Sequence, residues 1–345
     1  MKEKEPIFWA KSENPEAREA NRLGEVFNDE KIEQSMTFQL STQESGEGAL
    51  PEVDAYWFSL QDGPEGKVFL PKNGDPNKLA IFEPGLPGDS VDWFEGRHAP
   101  VLAKDGYTVI SVRHRGLRTD TEKSRKYVNC EERITKGSEL GRPTLGGDGT
   151  YSLTEISEEP AHVLNALRHD RLPDEITLIG HSAGSLYHAY SLSTNRVDPQ
   201  VTERVKNIVS LGGYVDMEAR GPRFGDIKDY YKWCQSLLRM SEPEENIEKL
   251  KKIFEETSQG HIPDHVMVTL VQSPEDEYVS LEGADRFQEK LGRGLVIVDM
   301  TQSAKEGEEV HDYGNMRPET LLRLVRMHYP RSKHRVAVSS RSPKE

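Results

Sequence analysis

Short apolar segments alternate with helix-compatible segments along most of the chain. Residues 79–82 predict a strand that is followed by a helix at about 92–104, and the strand predicted at 107–112 begins a longer alternation of strands and helices. Strands that alternate with helices indicate a mostly parallel sheet covered on both faces. Upstream, the strands predicted at 36–40 and 54–60 follow one another without a helical segment between them, which predicts an antiparallel meander. We therefore expect an α/β fold.

Two long segments interrupt this alternation, and both leave the carboxyl end of a predicted strand. Parallel sheets bind ligands beyond the carboxyl ends of their strands, so both segments should border the site. The predicted organisation is a leader at 1–35, a core at 36–217 and 265–330 with an insertion at about 115–152, a helical cap at 218–264, and a flexible polar tail at 331–345. The cap prediction rests on helical spacing of apolar residues at 226–240 and 244–256.

Composition narrows the class of protein. The chain has 45 basic and 59 acidic residues, and its net charge of -14 argues against a general nucleic-acid or membrane-surface binder. Cys130 and Cys234 are the only cysteines, which excludes a disulfide scaffold or a cysteine zinc site and favours a reducing compartment. The start of the chain has no apolar segment of signal-peptide length, and nothing elsewhere has the length of a membrane span. We expect a cytoplasmic protein.

The motif with the clearest chemistry lies at the end of a β-rich apolar run. Residues 175–179 lead into Gly-x-Ser-x-Gly, in which Ser182 stands between Gly180 and Gly184, and a helix-compatible segment follows at 186–192. This is the layout of a nucleophile elbow, a sharp strand-to-helix turn that presents a serine hydroxyl above the sheet. Glycines allow the backbone a turn that side chains would obstruct.

A serine hydroxyl needs a general base that is itself held by an acid. Asp276 lies in an acidic loop directly after a late strand, and His311 lies in the loop after the last predicted core strand. The order Ser182, Asp276, His311 results. Asp216, just after the strand at 207–211, remains an alternative acid. Two further carboxylates flank Asp276 in its loop, namely Glu275 and Glu277.

These elements together make the chain resemble the α/β-hydrolase superfamily, over about residues 36–328. The resemblance implies an eight-stranded-type, mostly parallel sheet with helices on both faces and a helical cap. It also implies that Ser182 is the nucleophile, Asp276 the orienting acid and His311 the base, with an oxyanion hole formed by the backbone N–H groups of Leu86 and Ala183. The sequence departs from the family pattern in three places: at Pro84-Gly85, where the family often has His-Gly, at Ser273, and after Arg113-His114-Arg115-Gly116.

Other chemical features are less specific. Aromatic residues near the oxyanion loop (residues 84–88) and in the predicted cap offer a substrate pocket, for which Trp93, Tyr230 and Trp233 are the candidates. The basic cluster of Arg113, His114, Arg115 and Arg118 either meets an anionic substrate or forms structural ion pairs. The sequence contains neither a His-Glu-x-x-His motif, nor carboxylates at metal-ligand spacing, nor a dinucleotide fingerprint, so no metal and no cofactor are expected.

The leading hypothesis is a serine hydrolase of the carboxylesterase, lipase or lactonase kind. It would act on a small-molecule ester, thioester, lactone or activated amide through an acyl-enzyme. Function resides in the site rather than in the scaffold, so an acyltransferase, a lyase or a non-catalytic ligand-binding protein remain alternatives.

Overall fold

The computed structural model describes most of the predicted core. The described residues are 22–28, 32–38, 53–61, 64–71, 75, 77–86, 88, 90–114, 153–213, 243–299, 310–311, 313–327 and 334–338. The predicted insertion at 115–152, the first cap helix, Asp216, Tyr230 and Trp233 lie outside these residues.

The described strands form one sheet, in the order β1-β2-β3-β5-β4-β6-β7-β8-β9-β10. Their bounds are Ile32–Phe38 (β1), Val53–Leu60 (β2), Glu65–Pro71 (β3), Lys78–Glu83 (β4), Thr108–Arg113 (β5), Glu175–His181 (β6), Val205–Leu211 (β7), Met267–Gln272 (β8), Leu295–Asp299 (β9) and His334–Val338 (β10). The pairs β1–β2, β2–β3 and β3–β5 are antiparallel, and every other neighbouring pair is parallel. The predicted meander and the mostly parallel sheet are therefore confirmed.

Helices cover both faces of the sheet. Their bounds are Val91–Trp93, Phe94–His98 and Ala99–Lys104 (together α1, with a π-helical middle segment), Leu153–Asn165 (α2), Ala183–Ser193 (α3), Pro199–Thr202 (α4), Pro243–Gln259 (α5), Leu281–Leu291 (α6) and Pro318–Val325 (α7). Among these helices, none combines the length and the apolar composition that crossing a bilayer requires.

The central strand β4 shows why the sheet is buried on both sides. Successive side chains of a strand point to opposite faces. Leu79 and Ile81 belong to one apolar cluster, together with side chains of α2 and α3. Ala80 and Phe82 belong to a second cluster, together with side chains of α1 and α7. An apolar side chain at each of these positions therefore fills the core on both faces, as a parallel strand requires.

Parts of the predicted leader and of the predicted tail belong to the fold. Leu23 and Phe27 of the predicted leader are buried in the first cluster, and Phe27 forms a β-bridge with Leu167 of the core. Strand β1 begins at Ile32, inside the predicted leader. The prediction of a flexible tail is wrong for His334–Val338, which pair in parallel with β9. The edge of β9 supplies the backbone hydrogen-bond partners that make this short segment a strand.

Helix α5 is the described part of the predicted cap, and it packs on α2 and α3. Its residues Leu250, Ile253 and Phe254 are buried, as the helical spacing predicts. The segment after α5 is hydrogen-bonded to the end of α3, where the N–H of His261 donates to the carbonyl of Ser193. Helix α5 thus lies beside the core helices in the connection from β7 to β8, and a separate cap stays a prediction for residues 218–242.

Candidate active site

Ser182 occupies the sharp turn between β6 and α3. Its φ of 50° and ψ of -123° define a backbone conformation that residues other than glycine rarely adopt. The neighbouring strand holds this turn, because the N–H of Ser182 donates to the carbonyl of Leu211, 2.9 Å away. A Cβ on Gly180 would lie 2.5 Å from the backbone of Ser185, and one on Gly184 would collide with the carbonyl of Glu83. The local geometry is therefore that of the predicted nucleophile elbow.

Asp276 and His311 form a buried pair. The Nδ1 atom of His311 lies 2.9 Å from Oδ2 and 3.0 Å from Oδ1 of Asp276. The carboxylate also accepts bonds from the N–H groups of Tyr278 and Val279 and from the side-chain amide of Gln272. Because a carboxylate only accepts hydrogen bonds, the imidazole carries its proton on Nδ1 toward Asp276. The ring then presents Nε2 as a proton acceptor, as a general base requires.

The elbow and the Asp276–His311 pair meet at the end of β7. Ser182 is bonded to Leu211, and the next residue, Gly212, has a φ of 55°. A Cβ on Gly212 would lie 3.2 Å from both Oδ2 of Asp276 and Nδ1 of His311. A second connection runs through His181, whose Nε2 donates to the carbonyl of His311 at 2.8 Å. The structure therefore brings the three predicted triad residues to one end of the sheet.

The rival acids have other positions. Glu277 accepts bonds from the N–H groups of Val310 and His311, so it holds the loop that carries the histidine. Glu275 is exposed. Asp216 lies outside the described residues, and its role stays an open prediction. Of the described carboxylates in the acidic loop, Asp276 is the one whose side chain bonds the imidazole of His311.

The predicted oxyanion loop lies directly against Ser182. A Cβ on Gly85 would be 2.6 Å from the Cβ of Ser182, so only glycine permits this approach. Leu86 follows Gly85, and Ala183 begins α3. The N–H of Gly85 donates to Oγ of Ser90 at 3.3 Å, and its carbonyl accepts from Nε2 of His114 at 3.2 Å.

The predicted pocket residues are placed only in part. Trp93 is buried, and its ring packs edge-on against Phe82 and against the imidazole of His181, with centroids 5.6 and 5.5 Å apart. This position is beside the elbow. Tyr230 and Trp233 lie outside the described residues, so the substrate pocket stays a prediction.

The basic cluster that follows β5 begins with a structural ion pair. Arg113 bonds Glu95 through two nitrogens, at 3.1 and 2.7 Å, and Lys67 lies 2.8 Å from the same carboxylate. Burial on its own would raise the pKa of Glu95, but the charges of Arg113 and Lys67 outweigh it and lower this pKa to about 2. Arg113 is thus engaged inside the protein, and Arg115 and Arg118 lie outside the described residues.

A buried trio behind the oxyanion loop was not predicted, because its members are far apart in sequence. Glu83, His114 and Glu159 each offer one metal-ligand atom, and these atoms lie within 4.8 Å of one another. However, Nδ1 of His114 lies only 2.5 Å from Oε2 of Glu159. Two ligands of a tetrahedral ion with bonds of about 2.0 Å are ~3.3 Å apart. The trio therefore has the geometry of side chains that hydrogen-bond one another rather than surround an ion.

Comparisons with known proteins agree with this architecture. A family model described as the alpha/beta hydrolase fold matches residues 80–343. No curated protein sequence matches the chain.

Solved structures provide the second comparison. A hyperthermophilic esterase from the archaeon Pyrobaculum calidifontis is 12% identical, with 82% of this chain and 84% of that chain covered and a TM-score of 0.51. A bacterial membrane phospholipase A is 15% identical, with coverages of 82% and 88% and a TM-score of 0.49. A thioesterase domain from the curacin biosynthetic pathway is 14% identical, with coverages of 79% and 99% and a TM-score of 0.45. At 12% identity, the likeness to the archaeal esterase concerns the fold alone.

Proposed function

Since the chain belongs to the α/β-hydrolase family, we propose that it is a serine hydrolase whose nucleophile is Ser182. The substrate class is an ester, a thioester, a lactone or an activated amide of a small molecule. The observation that carries this proposal is the buried bond from Nδ1 of His311 to Asp276, beside a serine held in the geometry of a nucleophile elbow. The pair and the elbow meet at the end of β7, and this supports the proposal because parallel sheets bind ligands beyond the carboxyl ends of their strands.

The proposed reaction has two halves. Nε2 of His311 accepts the proton of the Ser182 hydroxyl while Oγ attacks the carbonyl carbon of the substrate. Asp276 stabilises the imidazolium that forms, and the imidazolium then protonates the leaving group as the tetrahedral intermediate collapses to an acyl-enzyme. A water molecule takes the place of the hydroxyl in the second half, and the acid product leaves with Ser182 restored.

Backbone donors would stabilise the negative oxygen of each tetrahedral intermediate. The proposed donors are the N–H groups of Leu86 and Ala183. Gly85 supports this assignment because it brings the loop of Leu86 into contact with Ser182. Ala183 supports it because Ala183 is the first residue of α3, and the first N–H groups of a helix have no partner within the helix. Loss of one such donor costs about 3 kcal/mol of transition-state stabilisation.

Labelling with a fluorophosphonate tests the nucleophile. We expect the wild-type protein to be labelled at Ser182 and Ser182→Ala to remain unlabelled. Ser193→Ala is the matched control, because Ser193 lies at the opposite end of the same helix and its hydroxyl donates to the carbonyl of Tyr190. Equal labelling of wild type and Ser182→Ala would contradict the proposal.

Substrate scope needs a second assay. A series of p-nitrophenyl esters of increasing acyl length, with matched thioesters, reports the preferred acyl group as a change in kcat/KM. The same assay with an added alcohol separates hydrolysis from acyl transfer, because transfer yields a new ester at the expense of the free acid.

A further inference from the structure

His114 holds one specific peptide unit of the oxyanion loop. Its Nε2 lies 3.2 Å from the carbonyl oxygen of Gly85. A carbonyl only accepts hydrogen bonds, so Nε2 carries the proton and donates it. In a trans peptide the C=O of one residue and the N–H of the next point in opposite directions. With the carbonyl of Gly85 directed at His114, the N–H of Leu86 is directed away from His114.

The ring of His114 is itself fixed. Its Nδ1 lies 2.5 Å from Oε2 of Glu159, and Glu83 Oε1 lies 3.5 Å from the same nitrogen. His114 and both carboxyl groups are buried. Because Nε2 is a donor, the short contact at Nδ1 contains a further proton, and rotation of the ring would break both bonds. Burial, followed by the negative charge of Glu159, raises the pKa of Glu83 well above its ordinary value, which limits the negative charge beside the ring.

Gly85 needs such a restraint because it has no side chain. Contact with Ser182 requires glycine here, and glycine leaves the adjacent peptide units free to rotate at little cost. A rotated Gly85–Leu86 peptide would turn a carbonyl oxygen, instead of an N–H, toward the side on which the oxyanion forms. Two bonds oppose this rotation, one from His114 to the carbonyl of Gly85 and one from the N–H of Gly85 to Ser90.

We propose that His114 is a positioning residue for the oxyanion hole: its bond to Gly85 fixes the peptide plane that presents the N–H of Leu86. Its catalytic consequence rests on the proposed serine-hydrolase function, whereas its effect on the loop does not. His114 acts through the backbone and does not contact the substrate. The trio of Glu83, His114 and Glu159 is thus a buried support for the loop that faces Ser182.

Two substitutions separate the two bonds of His114. In His114→Gln the amide nitrogen reaches about as far as Nε2, so the donor to Gly85 is retained. In His114→Asn the amide reaches only about as far as Nδ1, so the contact with Glu159 is retained and the donor to Gly85 is lost. His162→Asn is the matched control, because His162 is exposed on α2. Thermal unfolding establishes that each variant is folded.

The expected kinetic result is a change in kcat without a change in KM. We expect His114→Asn to lower kcat on a p-nitrophenyl ester by roughly 10- to 100-fold, with KM within about twofold of wild type, since a misdirected donor acts only on the transition state. The inhibition constant of a trifluoromethyl ketone, which forms an oxyanion with the serine, should rise in parallel. His114→Gln should retain most of the wild-type kcat and most of the wild-type affinity for the ketone. A folded His114→Asn with wild-type kcat, or a lower kcat with unchanged ketone affinity, would contradict the proposal.

Hydrogen–deuterium exchange of residues 83–90 provides a readout that does not depend on activity. Exchange should accelerate in His114→Asn and stay near wild type in His114→Gln and His162→Asn. If wild type neither hydrolyses esters nor reacts at Ser182, the proposed function fails, and the exchange result alone decides whether His114 holds the loop. If His114→Asn does not fold, Glu159→Gln replaces it, because a neutral amide anchors the ring less strongly. Unchanged exchange in that folded variant would overturn the inference.

Discussion

Asp276 accepts four described hydrogen bonds, and the one from His311 fixes the tautomer of the imidazole. In Asp276→Asn an amide group would face Nδ1 and favour the wrong tautomer. We expect kcat to fall by about 10³- to 10⁴-fold with little change in the unfolding free energy. The measurement is steady-state hydrolysis of a p-nitrophenyl ester by the variant.

Two controls decide between the rival acids. Glu275→Gln alters the exposed neighbour of Asp276 and should keep wild-type kcat. Asp216→Asn should do the same. If Asp216→Asn lost activity and Asp276→Asn kept it, the acid would be Asp216 and the assignment would have to be exchanged.

Gly85 is required by contact rather than by backbone conformation. A Cβ at this position would lie 2.6 Å from the Cβ of Ser182 and 3.0 Å from the carbonyl of His181. We expect Gly85→Ala to push the loop from the elbow and to lower kcat by roughly 100-fold, as loss of one oxyanion donor does. Gly292→Ala is the control, because that glycine has open space around it but a φ of 70°. The control should lose about 1 kcal/mol of stability and keep its kcat, and loss of activity in both variants would contradict the contact argument.

At the scale of elements, the Glu95 carboxylate joins the π-helical segment of α1 to two strands. It bonds Arg113 of β5 and Lys67 of β3, and all three are largely removed from water. Glu95→Gln would leave Arg113 buried without its counter-charge, so we expect a loss of about 3–5 kcal/mol in unfolding free energy, measured by urea denaturation. Glu282→Gln removes an exposed partner of Arg286 and should change stability by less than about 1 kcal/mol. Equal effects of the two substitutions would show that burial does not determine the strength of the Glu95 pair.

The strands that line the site were predictable because their apolar runs are intrinsic to the sequence. Strand β2 was expected at 54–60 and runs from Val53 to Leu60, and β7 was expected at 207–211 and runs from Val205 to Leu211. Strand β10 was missed because it is a short segment within a largely polar tail, and it pairs with an edge that β9 supplies. Helix α5 was predicted as a helix, but the spacing of its apolar residues could not predict that it packs on α3.

The candidate site also contains residues that the sequence predicts and residues that only the fold brings together. The elbow, Asp276 and His311 could be found because a nucleophile motif and the order of strands place them on known loops. The trio of Glu83, His114 and Glu159 could not be found, because three segments distant in sequence, the end of β4, the residue after β5 and helix α2, bring it together. His114 has the same sequence context as Arg113, and only the fold shows that both side chains are turned inward to carboxylates.

At the scale of the whole molecule, two buried histidines contribute to the way stability responds to acid. Burial lowers the pKa of His98 and of His188 to about 3, and for His98 the charge of Arg97 acts in the same direction. The unfolded chain takes up these protons near pH 6.5, whereas the folded chain resists them. The stability that comes from keeping these histidines neutral is therefore fully present above pH 6.5. It is lost as the pH falls toward 3, by up to about 1.4 kcal/mol per pH unit for each histidine.

His98→Phe tests this response. Both ring nitrogens of His98 lack a hydrogen-bond partner among the described residues, and the ring packs beside Phe94 and Trp93, so a phenyl ring should fit. We expect the slope of unfolding free energy against pH between 4 and 6 to fall by up to about 1.4 kcal/mol per pH unit, the contribution of one such histidine, measured by urea denaturation at several pH values. His162→Phe changes an exposed histidine and should leave the slope unaltered. An unchanged slope in His98→Phe would mean that this ring is protonated in the folded state.

The central claim is that Ser182 becomes acylated by its substrate. Rapid mixing with p-nitrophenyl acetate, acid quenching and peptide mass spectrometry measure this directly. We predict one added acetyl group on the peptide that contains Ser182, accumulating in His311→Ala more slowly than in wild type and absent in Ser182→Ala. Turnover of the ester by Ser182→Ala at the wild-type rate, or an acetyl group transiently carried by another residue instead, would contradict the account.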